Sequence, residues 1–329
     1  RTGAVHMHRD ELAAQARNII TDPQLDDRQR KQQLASLAES LLDYVPISNE
    51  SADLLSNRVI CDLFEGPAPY RPRYILPDYA KAFQQGSAYL ELDPPQDLDD
   101  AINFLTILYA HVPSITGYPV YLGNVDTLLE PFVQGLNDDT LDRKLRLFWR
   151  AVDRLLPNGF VHANLGPNDS RVARSILRIE RSASQVVPNL TLKVDETLTP
   201  DDLILEAIKT VLAVAKPHFV NHELMVRDLG KEYGVASCYN SLRVGGGAHT
   251  LVRLNLKASV DMHVGTAYEF VENDLPRLVD AASEILAARI RHVVDNARFF
   301  EHHFLAREGL ISLDRFSAMF GVFGLAEAV

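Results

Sequence analysis

The stretch YGVASCYNSLRVGGGAHTLVRLNL, from Tyr233 to Leu256, decides how the rest of the chain is read. It opens on a short apolar run, Tyr233 to Ala236, with the character of a strand buried on both faces, as in a parallel sheet. Cys238, one of only two cysteines, follows at the C-terminal end of that run. A polar step at Tyr239-Asn240-Ser241 and three glycines at 245 to 247 come next, predicting either a flexible turn or a backbone that something approaches closely. Thr250 to Leu256 then predicts a second strand. In closed parallel barrels chemistry collects at the C-terminal ends of strands, which makes Cys238 the first catalytic candidate.

Working back from this stretch, strand-like and helix-like segments alternate. Strands are predicted over 118–124, 160–165, 187–194 and 218–221, with helices over 138–156, 168–183 and 200–215 between them. Short links and this order are the signature of parallel βαβ units. Upstream, 9–44 reads as two helices broken at Asp22-Pro23, 51–64 as a helix carrying Cys61, and 97–111 as another. Residues 66–78 hold four prolines and predict an extended connector. Downstream, 266–307 reads as a long helix interrupted at Pro276, packing beside the sheet. The division expected is a helical N-terminal region, 1–116, and an α/β barrel core, 117–329.

Composition narrows the function. The 329 residues are 47% apolar, enough for a large core, and the net charge of −11 argues against nucleic acid or an anionic membrane as partner. Apolar runs are too short to span a membrane. Two cysteines make no disulfide framework and suit a reducing, cytoplasmic setting. Cys61 reads as packing. His218 with His222, and His302 with His303, lack a third ligand at sensible spacing, so no metal site is expected. Arg71 and Arg73, among prolines, read as surface structure, with phosphate binding the sharper alternative.

Several predicted strands end in small polar side chains: Asn124, His162 with Asn164, Asn189, His218 with Asn221, and Cys238 with Asn240. If these ends converge they make a neutral pocket of amides, imidazoles and one thiol, suited to a small polar ligand and unlike a carboxylate acid/base pair. His162, Asn164, Asn189, His218 and Asn240 are the candidate substrate-binding residues; each also reads as a satisfied core polar group.

Pro188-Asn-Leu-Thr-Leu, then Lys216-Pro-His-Phe-Val-Asn-His, then Val235-Ala-Ser-Cys238 resembles the glycyl radical enzymes of the pyruvate formate-lyase and diol dehydratase type. Gly245-Gly-Gly with Thr250 to Leu256, and Gly321-Val-Phe-Gly-Leu-Ala-Glu, are similar to parts of the anaerobic ribonucleotide reductases. Tyr70-Arg-Pro-Arg-Tyr and Tyr118 to Asp126 resemble the YjjI-type branch. The resemblance covers nearly the whole chain, and its specificity lies in the order of the motifs. It implies a ten-stranded α/β barrel of two half-barrels, and a thiyl radical at Cys238 that takes hydrogen from substrate under anaerobic conditions. It also implies that no cofactor is bound in this chain, and that a separate S-adenosylmethionine iron–sulfur activase installs the radical on a glycine. The expected partners are that activase, a small-molecule substrate and a second copy in a homodimer.

The sequence departs from the pattern in three places. The R-V-x-G-Y glycine motif is not found, and the apolar last residues suggest a chain cut short of it. Tyr239 stands where pyruvate formate-lyase has a second cysteine for acyl transfer. Asn240 stands where the dehydratases carry a glutamate base. Two other readings remain: a catalytically silent barrel that binds or scaffolds, and a non-radical barrel lyase or hydrolase.

Overall fold

A computed structural model describes residues 9–156, 160–183, 185–237 and 240–328. Ten strands punctuate it: β1 (Ile60–Cys61), β2 (Tyr74–Leu76), β3 (Tyr121–Asn124), β4 (His162–Leu165), β5 (Asn189–Val194), β6 (His218–Asn221), β7 (Tyr233–Ala236), β8 (Asn240–Arg243), β9 (Gly246–Asn255) and β10 (Phe316–Phe323).

The βα alternation builds one parallel sheet, ordered β3-β4-β5-β6. His162 faces Asn189 across β4 and β5, and Thr191 faces His218 across β5 and β6. Amphipathic helices cover its outer face. Asp138–Leu155 buries Leu141, Leu145, Phe148, Trp149 and Val152, a stripe at helical spacing, and its start is capped by Asn137, whose side chain accepts from the Thr140 N–H. Arg171–Ala183 buries Val172, Ile176, Leu177 and Ile179 beside it. Between these helices the Trp149 indole donates to Glu180 at 2.6 Å, and Lys216 pairs with the same carboxylate at 2.9 Å. This ties the outer layer to the segment entering β6.

The second sheet is organised on β9. β1 and β2 pair with it antiparallel along one edge and β10 pairs parallel along the other. Gly246 and Gly247 are therefore ladder, with Gly245 in the turn before it: a Cβ on Gly246 would stand 2.1 Å from the Arg315 carbonyl oxygen, and one on Gly247 2.0 Å from that of Tyr74. Close backbone approach is the alternative that holds. The helix Leu275–Arg291 packs on this sheet, with Pro276 in its first turn. Its buried Arg289 donates to the Leu251 carbonyl, Tyr44 and Asp62, while Arg73 pairs with Glu65, which accepts the Leu251 N–H. Cys61 lies on β1 opposite Arg253, not on a helix, because the preceding helix ends at Ser56 and Arg58 turns to φ 57°. The second N-terminal helix starts at Asp27, past the break at Asp22-Pro23, and is capped by an Asp26/Gln29 capping box.

Candidate active site

β7 does not join either sheet. It runs out and back with β8 as an antiparallel hairpin in which Ala236 pairs with Asn240 and Tyr233 with Arg243. The expected order, strand, loop, next parallel strand, is thus corrected: a return strand intervenes before β9. Cys238, with Tyr239, lies outside the described residues. The residues on either side of them are described and fix how the hairpin sits.

In an antiparallel pair, alternate residues turn their N–H and C=O groups away from the partner. Tyr233 and Val235 have that orientation, and the groups they expose are met by side chains of the parallel sheet. The Asn164 carboxamide accepts from the Val235 N–H at 2.8 Å and donates to the Val235 carbonyl at 2.9 Å, so one side chain stands in for a neighbouring strand. Lys193 donates to the Tyr233 carbonyl at 2.8 Å and lies 4.2 Å over the Tyr233 ring. Gly234 makes the approach possible, since a Cβ there would fall 2.5 Å from the Tyr121 ring.

These bonds also set the hairpin's direction. Lys193 is near the C-terminal end of β5, and Asn164, in register with Thr191, sits two residues nearer its start. β7 therefore runs against β3–β6, from the level of Lys193 down to that of Asn164. Two further residues, about 7 Å of extended chain, bring Ser237 to the level of His162 and Asn189. Ser237 is buried and takes φ 53°, a left-handed conformation unusual for a residue with a Cβ.

The sequence-predicted residues are placed as follows. His162, Asn189 and His218 do not end their strands; they begin them. His162 and Asn189 are paired neighbours, His218 pairs with Thr191 two residues further along β5, and burial holds the His162 imidazole down at about 4, so it is neutral near pH 7. Asn164, expected with the ligand residues, gives its amide to β7. Asn240 opens β8, half-buried. Asn124 and Asn221 do end their strands. The Asn124 amide donates to the Gly166 carbonyl at 3.1 Å, and Asn221 caps the helix His222–Leu229.

Reading the sequence missed Thr191, Lys193 and Asp126. The signal for the first two was period-2 alternation: Asn189, Thr191 and Lys193 share one face of β5, and Leu190, Leu192 and Val194 the other. Thr191 Oγ1 is buried with no hydrogen-bond partner among the described residues. Burial pushes Lys193 down to about 8, with Asp126 pulling it back up. Burial likewise raises Asp126 to about 6, against the N–H groups of Gly166 and Thr127, which donate to it. Among the described residues no group of three or more His, Cys, Asp or Glu side chains has the arrangement of a metal site, and no helix is long and apolar enough to cross a membrane.

Comparison with known proteins gives this arrangement its context. The chain is 46% identical over 325 residues to the uncharacterized protein YjjI of Escherichia coli (strain K12), covering 98% of this chain and 62% of that one. It is 43% identical over 303 residues to an uncharacterized protein of Haemophilus influenzae (strain ATCC 51907 / DSM 11121 / KW20 / Rd), covering 91% and 58%. The chain therefore spans about three fifths of the length of these relatives. Among solved structures, the anaerobic ribonucleotide reductase of Thermotoga maritima, with citrate in the active site, superposes with a TM-score of 0.74 at 12% identity, over 97% of this chain and 68% of that one. The B12-independent glycerol dehydratase of Clostridium butyricum, in its glycerol-bound form, gives 0.55 at 11% identity, over 92% and 55%. At such identities the likeness shows the fold, and that fold is the α/β barrel of the glycyl radical enzymes. The family described as glycyl radical enzyme YjjI-like matches residues 25–329, and the chain belongs to it.

Proposed function

We propose that this chain carries the thiyl-radical half of a glycyl radical active site, with Cys238 as the hydrogen-atom carrier and a small polar organic molecule as substrate under anaerobic conditions. The observation that carries the reading is the clamp on β7. Two buried side chains of the parallel sheet hold the strand leading to residue 238 along its exposed edge, at 2.8–2.9 Å. A loop fixed at its approach suits radical transfer, which needs contact-distance alignment of the reacting atoms.

The radical, held on a glycine and installed by an S-adenosylmethionine activase, would supply a hydrogen-atom acceptor. In this reading Cys238 gives up its thiol hydrogen, and the sulfur then takes a hydrogen from a substrate carbon, restoring the S–H bond and leaving the radical on the substrate. His162, Asn189, His218 and Asn240 contribute hydrogen bonds to the substrate, with Thr191 as a further donor. The amides bring no general base, and the His162 imidazole, held down at about 4 by burial, is at most a weak one; Tyr239 and Asn240 replace the second cysteine and the glutamate of better-known branches. The reading thus favours neither acyl transfer nor glutamate-assisted elimination; lyase-type and reductase-type outcomes both stay within it. A cytoplasmic homodimer completes the proposal.

The test is anaerobic activation of the full-length protein, followed by electron paramagnetic resonance. Wild type is expected to give the glycyl doublet and to turn over a substrate found by screening small polyols and hydroxy acids. Cys238→Ala is expected to keep the doublet and lose turnover. A Cys238→Ala protein that still turns over would end the assignment; no doublet in wild type would favour a silent binding barrel.

A further inference from the structure

Away from the hairpin, a cavity of about 680 Å³ opens between the helix Asp27–Glu39, the proline-rich connector before β2, and residues 297–303. None of its lining residues belongs to β3–β8. Its size is that of a small-molecule site.

The walls have two kinds of surface. One is aromatic: the Tyr70 ring, half exposed, and the Phe299–His303 pair, stacked at 4.6 Å and 17°. The other is Arg71, 5% exposed, its guanidinium 4.3 Å over the Tyr70 ring. Arg71 donates from Nε to the Ser114 carbonyl at 2.6 Å, from Nη1 to Glu39 at 3.1 Å and from Nη2 to the Ile115 carbonyl at 3.4 Å. A guanidinium has five N–H donors, so two, one on each Nη, have no partner among the described residues. His303 Nδ1 accepts from the Leu305 N–H at 3.3 Å, which assigns the ring proton to Nε2 and adds a neutral donor. The carboxylate in the wall, Glu39, is already paired with Arg71. The cavity thus offers flat faces for a ring and an underused, desolvated guanidinium for an anion, a combination in which Arg excels.

We propose that this cavity binds a mononucleotide-sized anion, a flat heteroaromatic ring bearing a phosphate, at a site separate from the radical chemistry. The ring lies against Tyr70 and the Phe299–His303 stack, and the phosphate takes the two remaining Arg71 donors. The site needs no radical, so its test does not depend on activation.

AMP is titrated calorimetrically into the full-length, unactivated protein, with adenosine and inorganic phosphate as the two half-ligands. The expected result is AMP binding below about 1 mM, with each half-ligand at least about tenfold weaker. Tyr70→Ala, with its fold checked by its melting curve, is expected to weaken AMP about tenfold. Arg71→Lys keeps the charge but loses the fork, and is expected to weaken AMP while adenosine stays unchanged. No AMP heat up to about 5 mM, phosphate binding as tightly as AMP, or equal AMP affinity in Tyr70→Ala and wild type would each overturn the proposal.

Discussion

Replacing Asn164 by leucine, nearly the same size and shape, isolates what the clamp on β7 contributes. Asn164 is fully buried and Val235 is 2% exposed. The substitution leaves the Val235 N–H and C=O facing an apolar side chain, with β8 on the wrong side to take them. A buried backbone group stripped of its partner costs about 1–3 kcal/mol, so the pair costs about 2–6 kcal/mol, a large part of the ~5–15 kcal/mol that holds a typical domain. The hairpin has a way to avoid this: it lifts off the sheet and lets water in. Either way the signature is local. Amide hydrogen exchange at Val235 should speed up by about thirtyfold or more, the equivalent of the lower limit of that cost, together with its hairpin neighbours 233–243, while the helix Asp138–Leu155 keeps its protection. Asn164→Asp sharpens the test. Ionised, it retains the acceptor for the Val235 N–H but sets a second oxygen against the Val235 carbonyl; protonated, it donates to that carbonyl. Its defect should therefore ease on acidification. Unchanged exchange across 233–243 in Asn164→Leu, with stability within about 0.5 kcal/mol of wild type, would refute the clamp.

Two further predictions concern the second sheet and pH. Gly247→Ala places a Cβ against the Tyr74 carbonyl at a φ of 152°, so β2 must separate from β9; a loss of about 3 kcal/mol or more in urea unfolding is expected, and a loss below about 1 kcal/mol would contradict the close ladder. His162 and His249 are buried, and burial holds each at about 4 against 6.5 for the free side chain. The folded value lies below the unfolded one, so their stability contribution is complete above pH 6.5 and is lost as pH falls from there to 4. Each should cost up to about 2 kcal/mol between pH 7.5 and 5; a His162→Gln/His249→Gln protein whose melting temperature falls as steeply as wild type over that range would count against the assignment.

The parallel sheet was legible in the sequence because each strand is bracketed by long amphipathic helices and short links. The failures have physical causes. β1 and β2, two and three residues long, carry no periodicity to read, and β2 hides in a run of prolines. The return strand β8 was read as a polar step: Asn240-Ser-Leu-Arg243 has one apolar residue, and no Asn-Gly or Asp-Gly turn announces the hairpin. The helix expected over 51–64 stops at Ser56, where pattern alone gives no warning of the left-handed Arg58. The motif order pointed to the barrel family and to residue 238. What no pattern shows is the use of a side chain as a surrogate strand: Asn164 looks like any inward amide until the partner, 71 residues away, is in view.

The hairpin leaves the parallel sheet by a very short route. Val244 and Gly245 alone separate β8 from β9, and they are bonded in turn: Val244 N–H to the Glu232 carbonyl, Gly245 N–H to the Leu76 carbonyl, and the Gly245 carbonyl accepting the Ser312 N–H, at 2.7–2.9 Å. One end of the hairpin is thus riveted to β2 and its other strand to β4 and β5. With no slack in between, it works as a tie rod across the two sheets: a tilt of one against the other has to stretch or break the bonds that hold β7 and β8 in place.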